Sequence, residues 1–515
     1  MKQKKMASGS LITSIKPCAY RYIKDKTDNA MSSIKELAPT EVWKNFHALT
    51  QIPRPSKKEQ GIIEYMKKFG EGLGLETVVD EVGNVIIKKP ATRGMENRKG
   101  VILQGHLDMV PQKNSDKEFN FETDPIEAEI AGEWVTANGT TLGSDNGIGV
   151  GAAMAVLESK TLAHGPIEAL FTVDEETGMT GAFGLKPGLL EGEILINMDS
   201  EDEGELYVGC AGGIDVSAMK TYPEEEPPEG YAAYRITARG LKGGHSGLDI
   251  PSGRANANKI LFRFLMQAEA DLHIRLSEAG GGDLRNAIPR ESSAVILVPA
   301  DLSEKLESLV AKTETIYRNE FAETEPDLSF TCQTTGFQGK VLPLQEQYKI
   351  IRAVFACPNG VQRMSQSMPG LVETSNNLAV VHVREGKFEA LNLVRSSVDS
   401  AKEATAWKIA GVFHLIGAEV TLSGEYPGWK PDMDSPILKI CREVYQKEFG
   451  KVPEIRAIHA GLECGLLGGV YPGLDMISFG PTIRFPHSPD EKVNIGTVKK
   501  FWEFLVAILK AIPEK

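Results

Sequence analysis

From Ala38 onward the apolar positions switch between two periods. In "PTEVWKNFHALTQI" and "KKEQGIIEYMKKFGEGLGL" they return every three or four residues, which predicts amphipathic helices. "ETVVDEVGNVIIKKP" reads as two short strands about a turn, a hairpin. "GVILQGHLDMV" opens as an unbroken apolar run, the pattern of a strand buried on both faces, and leads into His106 and Asp108. "IEALFTVDEETG" and "EILINMDSEDEG" repeat that design, each an apolar strand running into acids. Helices alternating with such strands predict an α/β sheet whose reactive residues gather at the carboxyl ends of its strands.

Past Gly213 the pattern changes. "GIDVSAMKTYPEEEPPEGYAAYRITARGLKG" places an acidic, proline-rich loop between two alternating strands, and "GRANANKILFRFLMQAEADL" has helical spacing. Further alternation in "SSAVILVP" and "NNLAVVHVREGKFEALNLVRSS" extends an α+β segment to about Thr405. The α/β character then returns with "GAEVTLSGEYPGWKP", "SPILKICREVYQKEFG" and "GLDMISFGPTI". A second domain inserted into the first is expected, with linkers near Gly213 and Thr405.

Size agrees, since 515 residues exceed what one ordinary core organises. A formal net charge of -13, with no basic run interleaved with aromatics, disfavours a nucleic-acid binder and favours a soluble cytoplasmic protein. The six cysteines are scattered without a C-x-x-C pair, which argues against a disulfide framework and a cysteine-rich zinc site. "MKQKKMASGSLITSIKPCAY" starts with lysines like a signal peptide, but its apolar stretch is short and broken by Lys16. Residues 1–32 are expected to be a disordered extension ahead of the first domain. No apolar run is long enough to span a membrane.

Five separated segments each bring a metal-type ligand just after an apolar strand: His106 with Asp108, Asp145, Glu175 with Glu176, Asp199, and His487. Any one of them alone is an ordinary polar residue. Their recurrence at strand ends that share one crevice is harder to assign to solvation, and carboxylates converging there would repel without cations. Carboxylate and imidazole donors suit zinc, manganese or cobalt. Asp145 sits in "TTLGSDNGIGVGAAMAV", which admits two readings. Gly147, Gly149 and Ala152 fit a loose dinucleotide fingerprint, or the glycines let the chain bend so that Asp145 is presented. The polar "ANGTTLGSDN" stands where a dinucleotide fold would have a strand, which favours the second.

"HLDMV", "GSDNGIG", "DEETG", "NMDSEDEGE" and "PHSPDE", in this order, resemble the metal-site segments of the di-zinc peptidases that include aminoacylases, carnosinases and bacterial dipeptidases. "GCAGGID", "LKGGHSG", "NAIPRE", "VETSNN" and "IHAGLECG" extend the similarity toward the dipeptidase branch that takes aminoacyl-histidine substrates, from about Ser33 to the end of the chain. The resemblance implies a zinc-peptidase-like α/β catalytic domain, 33–212 and 406–515, with a central mixed sheet flanked by helices. An α+β lid and dimerisation domain, 213–405, would interrupt it. It further implies that Asp145 bridges two divalent ions, with His106 and Asp199 completing one shell and Glu176 and His487 the other. Zinc is the first choice, manganese or cobalt the alternatives. Asp108 would hold the second nitrogen of His106. Glu175 would stay off the metal as general base for a shared, activated water.

His245, between glycines in "LKGGHSGLDI", is the implied donor to the tetrahedral oxyanion, within its own subunit or across a homodimer. Arg395 is the implied carboxylate-binding residue, a task that suits a guanidinium fork. Asn377 and the backbone at Gly461 are supporting substrate contacts. His459 and Glu463 are read equally as substrate contacts or loop structure, and Cys464 as a buried apolar residue. Glu201, Asp202 and Glu203 read as a solvated loop before a role with a substrate ammonium. Arg484 and Phe485 depart from the family pattern just before His487. The expected activity is hydrolysis of dipeptides with a free amino terminus, including Xaa-His, by a cytoplasmic homodimer. An aminoacylase-type amidohydrolase and an inactive binding relative are the alternatives.

Overall fold

The computed structural model describes residues 33–515. The expected extension 1–32 lies outside them.

The apolar runs form the middle of an eight-stranded mixed sheet. Val101–His106 lies between Ile167–Thr172 and Ile194–Asn197, parallel to both, and Asp475–Ser478 continues the parallel set beside Ile194–Asn197. Val101–His106, Ile167–Thr172 and Ile194–Asn197 are buried along their whole length, as strands covered on both faces must be. The hairpin Glu76–Val79 and Val85–Lys89 adds one antiparallel edge. Glu205–Cys210 and Glu454–Ile458 close the other.

Helices Thr40–Thr50, Gln60–Gly72, Ser144–Glu158, Pro436–Phe449 and Ile495–Ala511 belong to this part of the chain. Ser144–Glu158 is buried almost all round, as its uniform hydrophobicity requires. Its glycines serve packing. A Cβ on Gly147 would meet Phe46 at 2.8 Å, and one on Gly151 the backbone of Phe46 at 3.2 Å, so helix Thr40–Thr50 could not approach. The sharp bend lies earlier, at Gly143 with φ 69°, a conformation glycine adopts without strain. Gly147 and Gly149 are therefore helical packing residues and not the bend itself.

The second sheet has nine strands, with consecutive neighbours antiparallel. Gly212–Thr221, Tyr231–Arg239, Arg275–Gly281, Ser292–Pro299, Val372–Arg384 and Lys387–Ser396 make up most of it. Helices Ala257–Leu272, Leu344–Ala356 and Asp399–His414 bury apolar faces with it. Among the described residues two large cores result, one drawn from residues 34–210 and 429–512 and the other from 214–418, beside a small cluster of Ile250, Ile288 and Val372.

Residues 406–426 differ from expectation. Ala406, Ile409 and Phe413 lie in the second core, and Glu419–Tyr426 pairs with Gly212–Thr221 as an edge strand of the second sheet. The first core resumes only at Trp429. A helix followed by a mostly exposed edge strand has the same apolar pattern whichever sheet it joins, so periodicity did not reveal its partner.

Candidate metal centre

Parallel strands bring His106, the Glu175–Glu176 turn and Asp199 to one rim of the first sheet. The other two segments arrive by different routes. Asp145 opens helix Ser144–Glu158 with extended backbone, φ −82° and ψ 112°. His487 lies between Ile483–Arg484 and Lys492–Asn494, and the latter strand pairs with Trp134–Ala137. That small sheet carries the His487 loop over the Asp145 turn.

The two oxygens of Asp145 face two different histidines. Oδ1 lies 3.1 Å from His106 Nε2, and Oδ2 lies 3.3 Å from His487 Nε2. Each histidine has a further acid: Asp199 Oδ1 is 3.3 Å from His106 Nε2, and Glu176 Oε2 is 2.9 Å from His487 Nε2. Potential ligand atoms of His106, Asp145 and Glu176 all lie within 4.8 Å of one another. Asp108 Oδ1 stands 3.3 Å from the opposite nitrogen of His106, its Nδ1.

Charge is poorly balanced at this rim. Burial pushes the Asp199 carboxyl up to about 7, although His106 opposes the shift. Burial, reinforced by Asp199, Glu463 and Glu176, holds Glu175 well above the usual carboxylate range against the pull of His106. Hydrogen bonds to Asp145 and Glu176 push His487 up to about 11. Burial disfavours a proton on His106, but Asp199, Asp108 and Asp145 outweigh it and hold the proton firmly. Asp108 is also buried, yet its contact with His106 holds it down at about 2.

The donor set fits a divalent metal: two imidazoles and three carboxylates, without a thiolate. Asp199 Oδ1 is buried and, although 3.3 Å from His106 Nε2, receives no well-aligned hydrogen bond among the described residues, which leaves a lone pair for a cation. The dinucleotide alternative meets an occupied cradle. The backbone N–H groups of Leu142, Gly143, Ser144 and Asp145 all donate to the carboxylate of Glu491, at 2.7 to 3.3 Å.

A second acidic trio, Glu59, Asp108 and Asp174, is buried nearby but already supplied with donors. Glu59 accepts from the amides of Lys57 and Asp174. Asp108 accepts from Ser56 and from the amides of Glu175 and Glu176. Asp174 accepts from the hydroxyls of Thr177 and Thr180. These acids hold the turn that carries Glu175 and Glu176.

Beneath the rim runs a polar relay inside the apolar strands. Glu463 Oε2 accepts from Gln104 Nε2 at 2.5 Å and Thr172 Oγ1 at 2.8 Å. Gln104 Oε1 accepts from Asn197 Nδ2, and Asn197 Oδ1 accepts from Ser478 Oγ, both at 2.5 Å. Glu463 and these four partners are all fully buried. Burial pushes the Glu463 carboxyl up to about 7, and its Oε1 accepts no hydrogen bond among the described residues. Glu463 thus has a structural place, whereas Gln104, Thr172, Asn197 and Ser478 escaped the sequence reading. Their signal was there: polar residues inside otherwise apolar, buried strands need partners.

The remaining candidates form a neighbouring group. Arg395 is buried and donates to Tyr426 Oη at 2.9 Å and Ser246 Oγ at 3.3 Å, and no acid pairs with it among the described residues. A Cβ on Gly247 would touch His459, Arg395 and His245 together, which fixes their proximity. His245 Nδ1 accepts from the amides of Gly247 and Leu248, so the proton of its neutral ring sits on Nε2. Burial, aided by Arg395, lowers its pKa and favours that neutral ring. His459 Nε2 meets Ser375 Oγ at 2.7 Å, and burial drops its pKa to about 3. Gly461 stands between Met179, just past the Glu175 turn, and Tyr426, the partner of Arg395. Asn377 spends its amide nitrogen on the carbonyls of Arg285 and Ala287.

Asp202 pairs with Arg484 at 2.7 Å, and Glu203 with Lys500 at 3.2 Å, so two members of the acidic trio are tied to cations. Phe485 is exposed. Cys464 is fully buried, and burial raises its thiol pKa, which suits an inert apolar residue.

Comparison with known proteins identifies the family. Residues 102–511 match the model of Peptidase family M20/M25/M40. The chain is 47% identical to the cytosol non-specific dipeptidase of Escherichia coli, over 94% of this chain and 100% of that one. The crystal structure of aminoacylhistidine dipeptidase from Vibrio alginolyticus is 50% identical, with a TM-score of 0.90, covering 94% of this chain and 99% of its own. Aminopeptidase PepT from Bacillus cereus shares the fold at 17% identity, with a TM-score of 0.55 over 92% of this chain and 99% of its own. A family match that spans most of the chain, including every strand end on the metal-type rim, makes the conclusion plain: the chain belongs to peptidase family M20/M25/M40.

Proposed function

We propose that this chain is a metal-dependent dipeptidase acting on substrates with a free amino terminus, Xaa-His dipeptides among them. The observation that carries the reading is Asp145, whose two oxygens face the His106/Asp199 and His487/Glu176 pairs. These five residues would hold two divalent ions, zinc first and manganese or cobalt as alternatives. When bound, such a pair lowers the pKa of a water and polarises the scissile carbonyl.

The protein's own groups do the rest. Asp108 orients His106 through its second ring nitrogen. Glu175, next to Glu176 in sequence, takes the proton of the attacking water and returns it to the leaving amine. His245, with its proton on Nε2, donates to the developing oxyanion. Arg395, a buried cation without an acidic partner among the described residues, receives the substrate's terminal carboxylate, and the Gly461 backbone and Asn377 shape the space around it. The part built on the second core would act as a lid over this centre and as the contact between two copies of the chain. No helix among the described residues is long and apolar enough to cross a membrane. A cytoplasmic setting follows the Escherichia coli relative, whose name places it in the cytosol.

The test strips the purified protein of metal, restores zinc, manganese or cobalt singly, and assays dipeptides against N-acetyl amino acids. Dipeptide turnover that disappears on chelation and returns with metal supports the reading. Turnover of N-acetyl amino acids alone, or hydrolysis that survives complete chelation, overturns it.

A further inference from the structure

Glu491 is buried, yet it touches no substrate-facing group named above. Its Oε2 accepts from Leu142 N at 2.7 Å and Gly143 N at 3.0 Å. Its Oε1 accepts from Ser144 N at 2.7 Å, Ser144 Oγ at 2.6 Å and Asp145 N at 3.3 Å. Five donors from four consecutive residues converge on one carboxylate, and the fourth residue is Asp145. A buried carboxylate is tolerated only with such compensation, so the turn and the acid fix each other.

Arg54 performs the reciprocal task on the carbonyl side. It is buried and donates through Nη2 to Gly143 O at 2.5 Å, and through Nη1 to Leu107 O and Asp108 O, both at 2.9 Å. One guanidinium thereby ties the loop after His106 to the turn before Asp145. Glu491 ties that turn to the segment bearing His487, four residues earlier in sequence. Three ligand segments that are far apart in the chain are fastened to one another by two charged side chains.

We propose that Glu491 and Arg54 are positioning residues that hold the Asp145 carboxylate at its shared location between the His106 and His487 pairs, and so set how tightly the centre holds its ions. The proposal rests on the metal reading of Asp145, but it assigns a role to groups outside the ligand set. Asp145 lacks helical backbone although it belongs to the first turn of a helix, so helix geometry does not determine where its side chain points. The clasp supplies that constraint, as outer hydrogen-bond partners do at metal sites generally.

The experiment titrates zinc into metal-free full-length protein by competition with a chromophoric chelator. It compares wild type, Glu491→Gln, Ser144→Ala and a control, Val498→Ala, which truncates a buried core residue. Melting temperatures are recorded without metal, and kcat and KM at saturating zinc. Glu491→Gln keeps size but turns an amide against backbone donors. It is expected to weaken zinc binding by about 10- to 100-fold and to lower kcat with KM within twofold. Ser144→Ala removes one bond of the five and should shift zinc affinity the same way by a smaller factor, which keeps the test valid if Glu491→Gln does not fold. Val498→Ala should lower the melting temperature and leave zinc affinity unchanged.

If Glu491→Gln and Ser144→Ala lower only the melting temperature, as the control does, the clasp is ordinary structural support and the proposal is wrong. If wild type itself binds no zinc, manganese or cobalt, the metal reading fails and the proposal falls with it.

Discussion

Oδ2 of Asp145 and Nε2 of His487 lie 3.3 Å apart although 342 residues separate them in sequence. The contact closes a cluster whose other half is the approach of Oδ1 to His106. One acid shared by two imidazoles, each with a further carboxylate, is the arrangement from which the proposed chemistry follows.

Glu175 is proposed as proton carrier and not as ligand, which separates its loss from metal loss. Glu175→Gln should lower kcat by about 10²- to 10⁴-fold, the usual scale for a removed general base. Metal content, measured by plasma emission on the purified variant, should equal that of wild type. A variant that loses both ions would make Glu175 a ligand instead.

Among the described residues, the hydrogen-bond partners of the Arg395 guanidinium are two hydroxyls, those of Tyr426 and Ser246. Arg395→Ala should raise KM for dipeptides by about 10- to 100-fold, the equivalent of a lost charge-assisted hydrogen bond of about 1.5–3 kcal/mol. Dipeptide amides, which lack the terminal carboxylate, should be poor substrates of wild type and lose little more in the variant. Equal losses on both substrates would argue that Arg395 only packs.

Glu463 leads to a pH prediction for the metal-free protein. Its folded pKa, about 7, exceeds the ordinary 4.5, so between these values the unfolded chain releases a proton that the folded chain keeps. Stability attributable to the group is therefore full below about pH 4.5 and is lost as pH rises towards 7. Glu463→Gln, which cannot ionise, should gain melting temperature relative to wild type as pH goes from 4.5 to 7 in the presence of chelator. A difference that stays flat, or runs the other way, would show that Glu463 is ionised in the fold.

His459 gives the opposite slope. Burial drops its pKa from 6.5 to about 3, so in that range the unfolded chain binds the extra proton. Its contribution is full above pH 6.5 and is lost as pH falls towards 3. The stability advantage of wild type over His459→Gln, read from urea midpoints, should shrink steadily from pH 7 to pH 4.

Much of this centre was legible because parallel strands are both apolar and directional. His106, Glu176 and Asp199 stand at or just past the ends of largely apolar, fully buried strands, and a parallel sheet has to bring such ends together. Asp145 and His487 lack that warrant. Their turns are placed by the small sheet around Trp134–Ala137 and by Glu491, neither of which leaves a periodic signal. Arg54 and Glu491 look like ordinary surface charges in sequence, and only their burial reveals the clasp. The boundary at 406–426 was misplaced for a similar reason, since an exposed edge strand such as Glu419–Tyr426 does not name its neighbour.

The most direct measurement is anomalous diffraction at the zinc edge from crystals of the zinc-saturated protein. Two peaks should flank Asp145, one within coordination distance of His106 and Asp199 and the other of Glu176 and His487. A map with no peak at Asp145, or with ions held elsewhere while Asp145 points away from both histidines, would contradict the account.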